Sequence, residues 1–156
     1  MNNNLMKNAI SLALKSLKLN EVPVGCVIVD AEEKIIGYGY NSSIKNNDPT
    51  SHAEIMALRM ACKKKKTHKL TGCSLYVTLE PCKMCEAAIY ISGIKKVYFG
   101  AYSQSLEIFD NKKKKFHKGL DGYLYYGGIN EKKCEQLLKK FFKQLHILIF
   151  KIFIKA

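Results

Sequence analysis

Residues 73–100 read CSLYVTLEPCKMCEAAIYISGIKKVYFG, and this stretch decides the fold. Cys73 to Leu79 is a short apolar run, which predicts a strand ending at Glu80-Pro81. Proline is tolerated in the first helical turn, so a helix opens at Pro81 or Cys82 and runs to Ser92. Gly93 ends it, and Lys96 to Gly100 forms the next strand. Upstream, residues 52–65 (HAEIMALRMACKKK) predict another helix, whose lysine-rich end suits the negative pole of the helix dipole. Asn41 to Ser51 is polar, contains Asp48-Pro49 and reads as a loop. Val24 to Val29 and Lys34 to Tyr40 read as strands around a turn at Asp30 to Lys34. Leu5, Met6, Ala9, Leu12, Ala13 and Leu17 recur at helical spacing and predict an amphipathic helix over 4–19. Downstream, 102–122 fits no single element, Tyr123 to Tyr126 suits a fifth strand, and 130–153 a final helix. Helix, two strands, then repeated helix–strand units imply an α/β sandwich with a mixed sheet and helices on both faces.

The chain's 156 residues suit one domain, 1–156, and no repeat or linker divides it. Apolar residues at 47% and charged residues at 25% exclude a disordered chain or a disulfide scaffold. The formal net charge of +13 favours polyanionic partners, nucleic acid or anionic membrane. The cations are 25 Lys and a single Arg, Arg59, whereas bidentate phosphate clamps favour Arg. Part of the lysine surplus is therefore read as drift on a solvated surface, Lys112–Lys115 included. The start, MNNNLMKNAI, has no basic region followed by an apolar core, so a cytoplasmic location with reduced thiols is expected. No apolar run approaches the ~20 residues of a membrane span. The longest, LHILIFKIFI at 145–154, reads as core or dimer packing.

Chemistry concentrates in Ser51-His52-Ala53-Glu54 and Glu80-Pro81-Cys82-Lys83-Met84-Cys85, with Asn41 just upstream. Cys82 and Cys85 at i and i+3 put both sulfurs on one helix face, a spacing that suits two thiolates on one zinc. A CxxC alone also serves structural zinc knuckles and redox pairs. His52 opens a helix after a loop as Cys82 does, so the two helix N-termini could converge on one metal and favour thiolate there. Three protein ligands leave the fourth position for water, the catalytic pattern. Glu54, two residues past His52, has no easy ligand role and is placed as a proton-shuttling carboxylate beside a zinc-activated water.

The order His-x-Glu…Pro-Cys-x-x-Cys is that of the zinc nucleobase deaminases. EVPVG at 21–25, NDPTSHAEIMALR at 47–59, LYVTLEPCKMCEAAI at 75–89 and VYFGA at 97–101 resemble the bacterial tRNA-specific adenosine deaminases, over about residues 5–145. The resemblance implies a three-layer α/β/α sandwich of the cytidine deaminase type with a five-stranded mixed sheet. It implies one zinc per subunit held by His52, Cys82 and Cys85, with Glu54 as catalytic proton shuttle and Asn41 as the residue that hydrogen-bonds the flipped purine. It implies hydrolytic conversion of the wobble adenosine of an anticodon stem–loop to inosine, by a homodimer whose partner subunit helps line the RNA site.

Two features depart from the family pattern. Ser103 stands where relatives often carry an acidic residue able to contact a ribose, and the tail at 144–156 is apolar where theirs is often basic. The rival enzyme reading is a free-base or nucleoside deaminase, for guanine or cytosine, because one zinc site serves them all. A riboflavin-pathway deaminase would need a longer insertion between its cysteines. A zinc-stabilised RNA-binding module would need no carboxylate such as Glu54.

Overall fold

The structure, a computed structural model, describes residues 3–103 and 123–155, with side chains through residue 148. Helix α1 (Asn3–Lys18) buries Leu5, Met6, Ala9, Ile10, Leu12 and Ala13, the stripe its spacing predicts. Strands β1 (Gly25–Val29) and β2 (Ile35–Tyr40) follow, then α2 (Ser43–Asn46), α3 (Ala53–Lys65), β3 (Ser74–Leu79), α4 (Lys83–Ser92), β4 (Lys96–Ala101), β5 (Leu124–Tyr126) and α5 (Glu131–Lys155).

The strands form one five-stranded sheet in the order β2-β1-β3-β4-β5. β1 is antiparallel to both neighbours, Cys26 pairing with Gly39 on one side and Val77 on the other. β3, β4 and β5 are parallel. β2, β3, β4 and β5 therefore run in one direction, and α3 and α4 are the crossovers that link β2 to β3 and β3 to β4. Both crossovers step the same way across the sheet, so a common handedness puts both helices on one face. Their N-termini lie beyond the carboxyl ends of the parallel strands, the usual place for a ligand on such a sheet.

Glycines fix how closely the layers approach. A Cβ at Gly39 would strike the carbonyl oxygen of Ala53 and lie 2.7 Å from Ala57 N, so only glycine lets α3 rest on β2. On the opposite face a Cβ at Gly25 would strike Ala9 O and come within 2.6 Å of Ala13 N, so α1 sits equally close. A Cβ at Gly100 would strike Cys134 Sγ, which places α5 on the α1 side. The expected three layers are thus present. Leu75, Val77, Val97 and Ile89 are fully buried between the sheet and α3 and α4. On the α1 side Tyr76 stacks on Tyr98 at 4.5 Å and Tyr98 on Tyr126 at 5.3 Å, a row that crosses three strands.

Three expectations need correction. The loop at 41–51 contains α2, a single turn of Ser43–Asn46 closed by left-handed Asn47 at φ 49°. Four polar residues are too few to show a helical period. Helix α4 opens at Lys83 rather than Pro81 or Cys82, because Cys82 keeps an extended backbone (φ −73°, ψ 169°) as the N-cap. Of the tail read as core or dimer packing, the side chains described, through residue 148, do not pack into this chain's core. Cys134 and Leu138 of α5 are buried, but Leu145, Ile147 and Leu148 are 42, 47 and 60% exposed where the helix runs past the sheet. The lysine run Lys112–Lys115 and the undecided segment from 104 to 122 lie outside the described residues.

Candidate active site

His52 and Cys82 are both N-caps with extended backbones, at the starts of α3 and α4, and Cys85 lies in the first turn of α4. Extended caps turn the two side chains toward the gap between the helix ends. His52 Nδ1 stands 3.6 Å from Cys82 Sγ and 3.6 Å from Cys85 Sγ. Zinc bonds of about 2.3 Å to sulfur and 2.0–2.1 Å to nitrogen, at a tetrahedral angle, require a sulfur-to-nitrogen edge of about 3.6 Å. One imidazole and two thiols at that separation fit the metal in both chemistry and size. Among the described residues this is the cluster able to hold a metal ion.

The electrostatics agree. Hydrogen bonding from Cys85, with a smaller contribution from His52, holds the Cys82 thiol down at about 4, so it is a thiolate near neutrality. The same pairing, with burial, pushes Cys85 up. His52 is raised, chiefly by its hydrogen bond to Cys82. The positive ends of α3 and α4 favour negative charge at this point.

Glu54, in the first turn of α3, is 4% exposed beside the trio. Burial raises its carboxyl from the usual carboxylate range to about 7. His52, Glu54, Cys82 and Asn41 line a cavity of about 420 Å³, walled by Val22, Val24 and Leu79. Ligand pockets run from about 300 to 1,000 Å³, so this one suits a single small ring system.

Asn41 follows the end of β2 at 9% exposure and lines the same cavity as His52, Glu54 and Cys82. Its backbone is fixed at both ends: its N–H donates to Val24 O at 3.0 Å, and its carbonyl accepts from Ser16 Oγ at 2.9 Å. The 47–51 loop that leads to His52 is tied by Asp48. Its carboxylate accepts from Thr50 Oγ1 at 2.7 Å, Thr50 N at 2.8 Å and Ser51 Oγ at 2.9 Å. The structure thus brings together all five residues singled out from the sequence.

It also adds residues that sequence reasoning missed. Glu80 lines the cavity, and its Oε2 accepts from Ser103 N at 2.9 Å and Ser103 Oγ at 2.6 Å. Ser103 is therefore committed to an acidic neighbour, the residue that follows β3, rather than simply lacking one. Glu21, 1% exposed, accepts from Asn41 Nδ2 at 3.4 Å and from Lys45 N at 2.8 Å. Glu80 stood in the motif and Glu21 in EVPVG, but only the sheet order brings their partners to them.

Three donors beside a buried carboxylate, open to a cavity, mark a hydrolytic zinc enzyme, and on this sheet they define the class of zinc-dependent deaminases. Residues 1–101 match the cytidine and deoxycytidylate deaminase zinc-binding region, and the chain belongs to that family. It is 44% identical to a tRNA-specific adenosine deaminase of Buchnera aphidicola subsp. Baizongia pistaciae, over 95% of this chain and 92% of that one. A solved structure from work on A-to-I editing by tRNA:A34 deaminases superposes with a TM-score of 0.73 at 31% identity. The match covers 88% of this chain and all of that one. A guanine deaminase from Bacillus subtilis superposes at 0.64 with 38% identity, over 69% of each chain.

Proposed function

We propose that this chain converts the wobble adenosine of a tRNA anticodon loop to inosine by hydrolysis, releasing ammonia. The observation that carries the chemistry is Glu54, buried beside the His52, Cys82 and Cys85 trio at the cavity wall, where a structural zinc site would have no use for it. His52, Cys82 and Cys85 would hold the zinc. When bound, zinc supplies the Lewis acidity that makes water a nucleophile at neutral pH.

Glu54 accepts the proton of the attacking water, passes it to purine N1 and assists departure of the amine at C6. Its burial keeps bulk water from exchanging that proton. Asn41 hydrogen-bonds the base and holds it across from Glu54. The cavity admits one base and no duplex, so the target must be splayed from its stack. A loop base is already partly unstacked and costs less to extrude.

The tRNA substrate is supported by similarity to tRNA-specific adenosine deaminases along nearly the whole chain. The net charge of +13 suits a phosphate-rich partner held mainly by lysines. The reading takes residues 1–156 as one deaminase domain with an atypical apolar end, working as a homodimer in the cytoplasm, where its six unpaired cysteines stay reduced. No helix among the described residues is long and apolar enough to cross a membrane.

The guanine deaminase likeness keeps one alternative, a free-base or nucleoside deaminase, and a single comparison separates the two. Zinc-loaded protein is given an anticodon stem–loop, adenosine, guanine and cytidine at one ionic strength. The stem–loop should turn over fastest, and more slowly as salt rises. Faster turnover of any free base or nucleoside would overturn the tRNA reading.

A further inference from the structure

Glu21 is a buried carboxylate that no step above uses. It sits in the turn between α1 and β1, its N–H donating to Ser16 O at 3.0 Å. Its two side-chain oxygens accept from N–H groups: Lys45 N on Oε1 and Asn41 Nδ2 on Oε2. A carboxylate with donors on both oxygens is an acceptor on both sides. An amide beside it must present its NH2 end, since its oxygen there would face another oxygen. At the other end of the same amide Ser43 Oγ donates to Asn41 Oδ1 at 3.4 Å, and because a hydroxyl can also accept, the choice of end falls to Glu21.

We infer that Glu21 is the positioning residue for the base-binding site. It gives the Asn41 side chain one orientation in the cavity, and so decides which hydrogen-bonding groups the base meets. The inference rests on the reading that Asn41 meets the base. The backbone of Asn41 is already fixed by Val24 and Ser16, so orientation of the amide is the freedom left for Glu21 to remove.

Glu21→Gln keeps size and changes only the hydrogen-bonding code. Its oxygen is needed by Lys45 N–H, so its NH2 faces Asn41 and forces that amide to turn over. An amide with the wrong end toward the base leaves polar groups unpaired. kcat/KM should therefore fall roughly 10–100-fold, with zinc content unchanged. In an Asn41→Ala background the same change should cost nothing more, whereas a purely structural Glu21 would cost as much in either background.

A second arm reads stability alone. Asn41→Asp sets two carboxylates face to face and should lower Tm more than Asn41→Ala does, and adding Glu21→Gln should restore it. Additive effects on kcat/KM, or an Asn41→Asp protein as stable as Asn41→Ala, would overturn the inference. If the wild type proves to prefer a free base, the cycle is run on that base, so failure of the tRNA reading and failure of this one stay separate.

Discussion

Replacing Gly39 with alanine tests whether the sheet sets the position of the metal-binding end of α3. Gly39 pairs with Cys26 and faces the first turn of that helix. An added Cβ would strike Ala53 O and lie 2.7 Å from both Ala57 N and Met56 Cβ. Carbon atoms in contact rest about 3.5–4.0 Å apart, so α3 must retreat by about 1 Å. Ala53 lies between His52 and Glu54, and the retreat carries both with it. Zinc sites tolerate about 0.2 Å in their bond lengths, so His52 leaves the reach of a metal held by Cys82 and Cys85. Overpacking of this kind costs about 1–3 kcal/mol. At about 2–4 °C per kcal/mol for a chain of this length, Tm falls by about 2–12 °C. Calorimetry reads the stability, and competition with a chromophoric chelator reads zinc affinity, which should drop at least ~10-fold. Gly72→Ala is the control: Gly72 has φ +83° and no neighbour within 4 Å, so alanine strains the backbone and leaves zinc binding alone. A Gly39→Ala protein that holds zinc as tightly as the parent would refute the idea that β2 sets the site.

Other perturbations have equally definite outcomes. Glu54→Gln should keep zinc and fold but lose about 10²–10⁴-fold in turnover, and activity within a factor of about two would remove the shuttle role. Cys82→Ala should lose zinc by elemental analysis, and full retention with normal activity would remove Cys82 from the ligand set. Asp48 is held at about 2, first by Thr50 and then by Ser51. Its folded value lies below the ordinary carboxylate range, so its stabilisation is complete above about pH 4 and lost as pH falls towards 2. Denaturant titrations should show a deficit for Asp48→Asn at pH 7 that disappears near pH 2, and a deficit independent of pH would contradict the loop geometry.

The parts of this molecule legible in its sequence are those decided locally. The α1 stripe, the strand at Ser74–Leu79 and the stop at Gly93 follow from spacing and from backbone preferences within a few residues. The site was legible for a related reason: His52, Glu54, Cys82 and Cys85 occupy two short motifs whose chemistry admits few meanings. Partnerships made by topology were not legible. Asn41 meets Glu21 only because the turn after α1 lies beside the end of β2, and Ser103 meets Glu80 only because β4 lies beside β3. The core half of the tail reading failed at Leu145, Ile147 and Leu148 because composition records preference for burial and says nothing of where the sheet ends.

The tyrosine row on the α1 side has a practical consequence. The chain has nine tyrosines and no tryptophan. Tyr76, Tyr98 and Tyr126 are stacked in series with ring planes 16° and 15° apart, so coupled ring transitions should dominate the near-ultraviolet circular dichroism. That signal reports the alignment of β3, β4 and β5 on the face away from the metal trio. Stripping zinc should leave it largely intact while the strands stay aligned, and unfolding should erase it. The protein thus carries its own optical means of telling an emptied metal centre from a collapsed sheet.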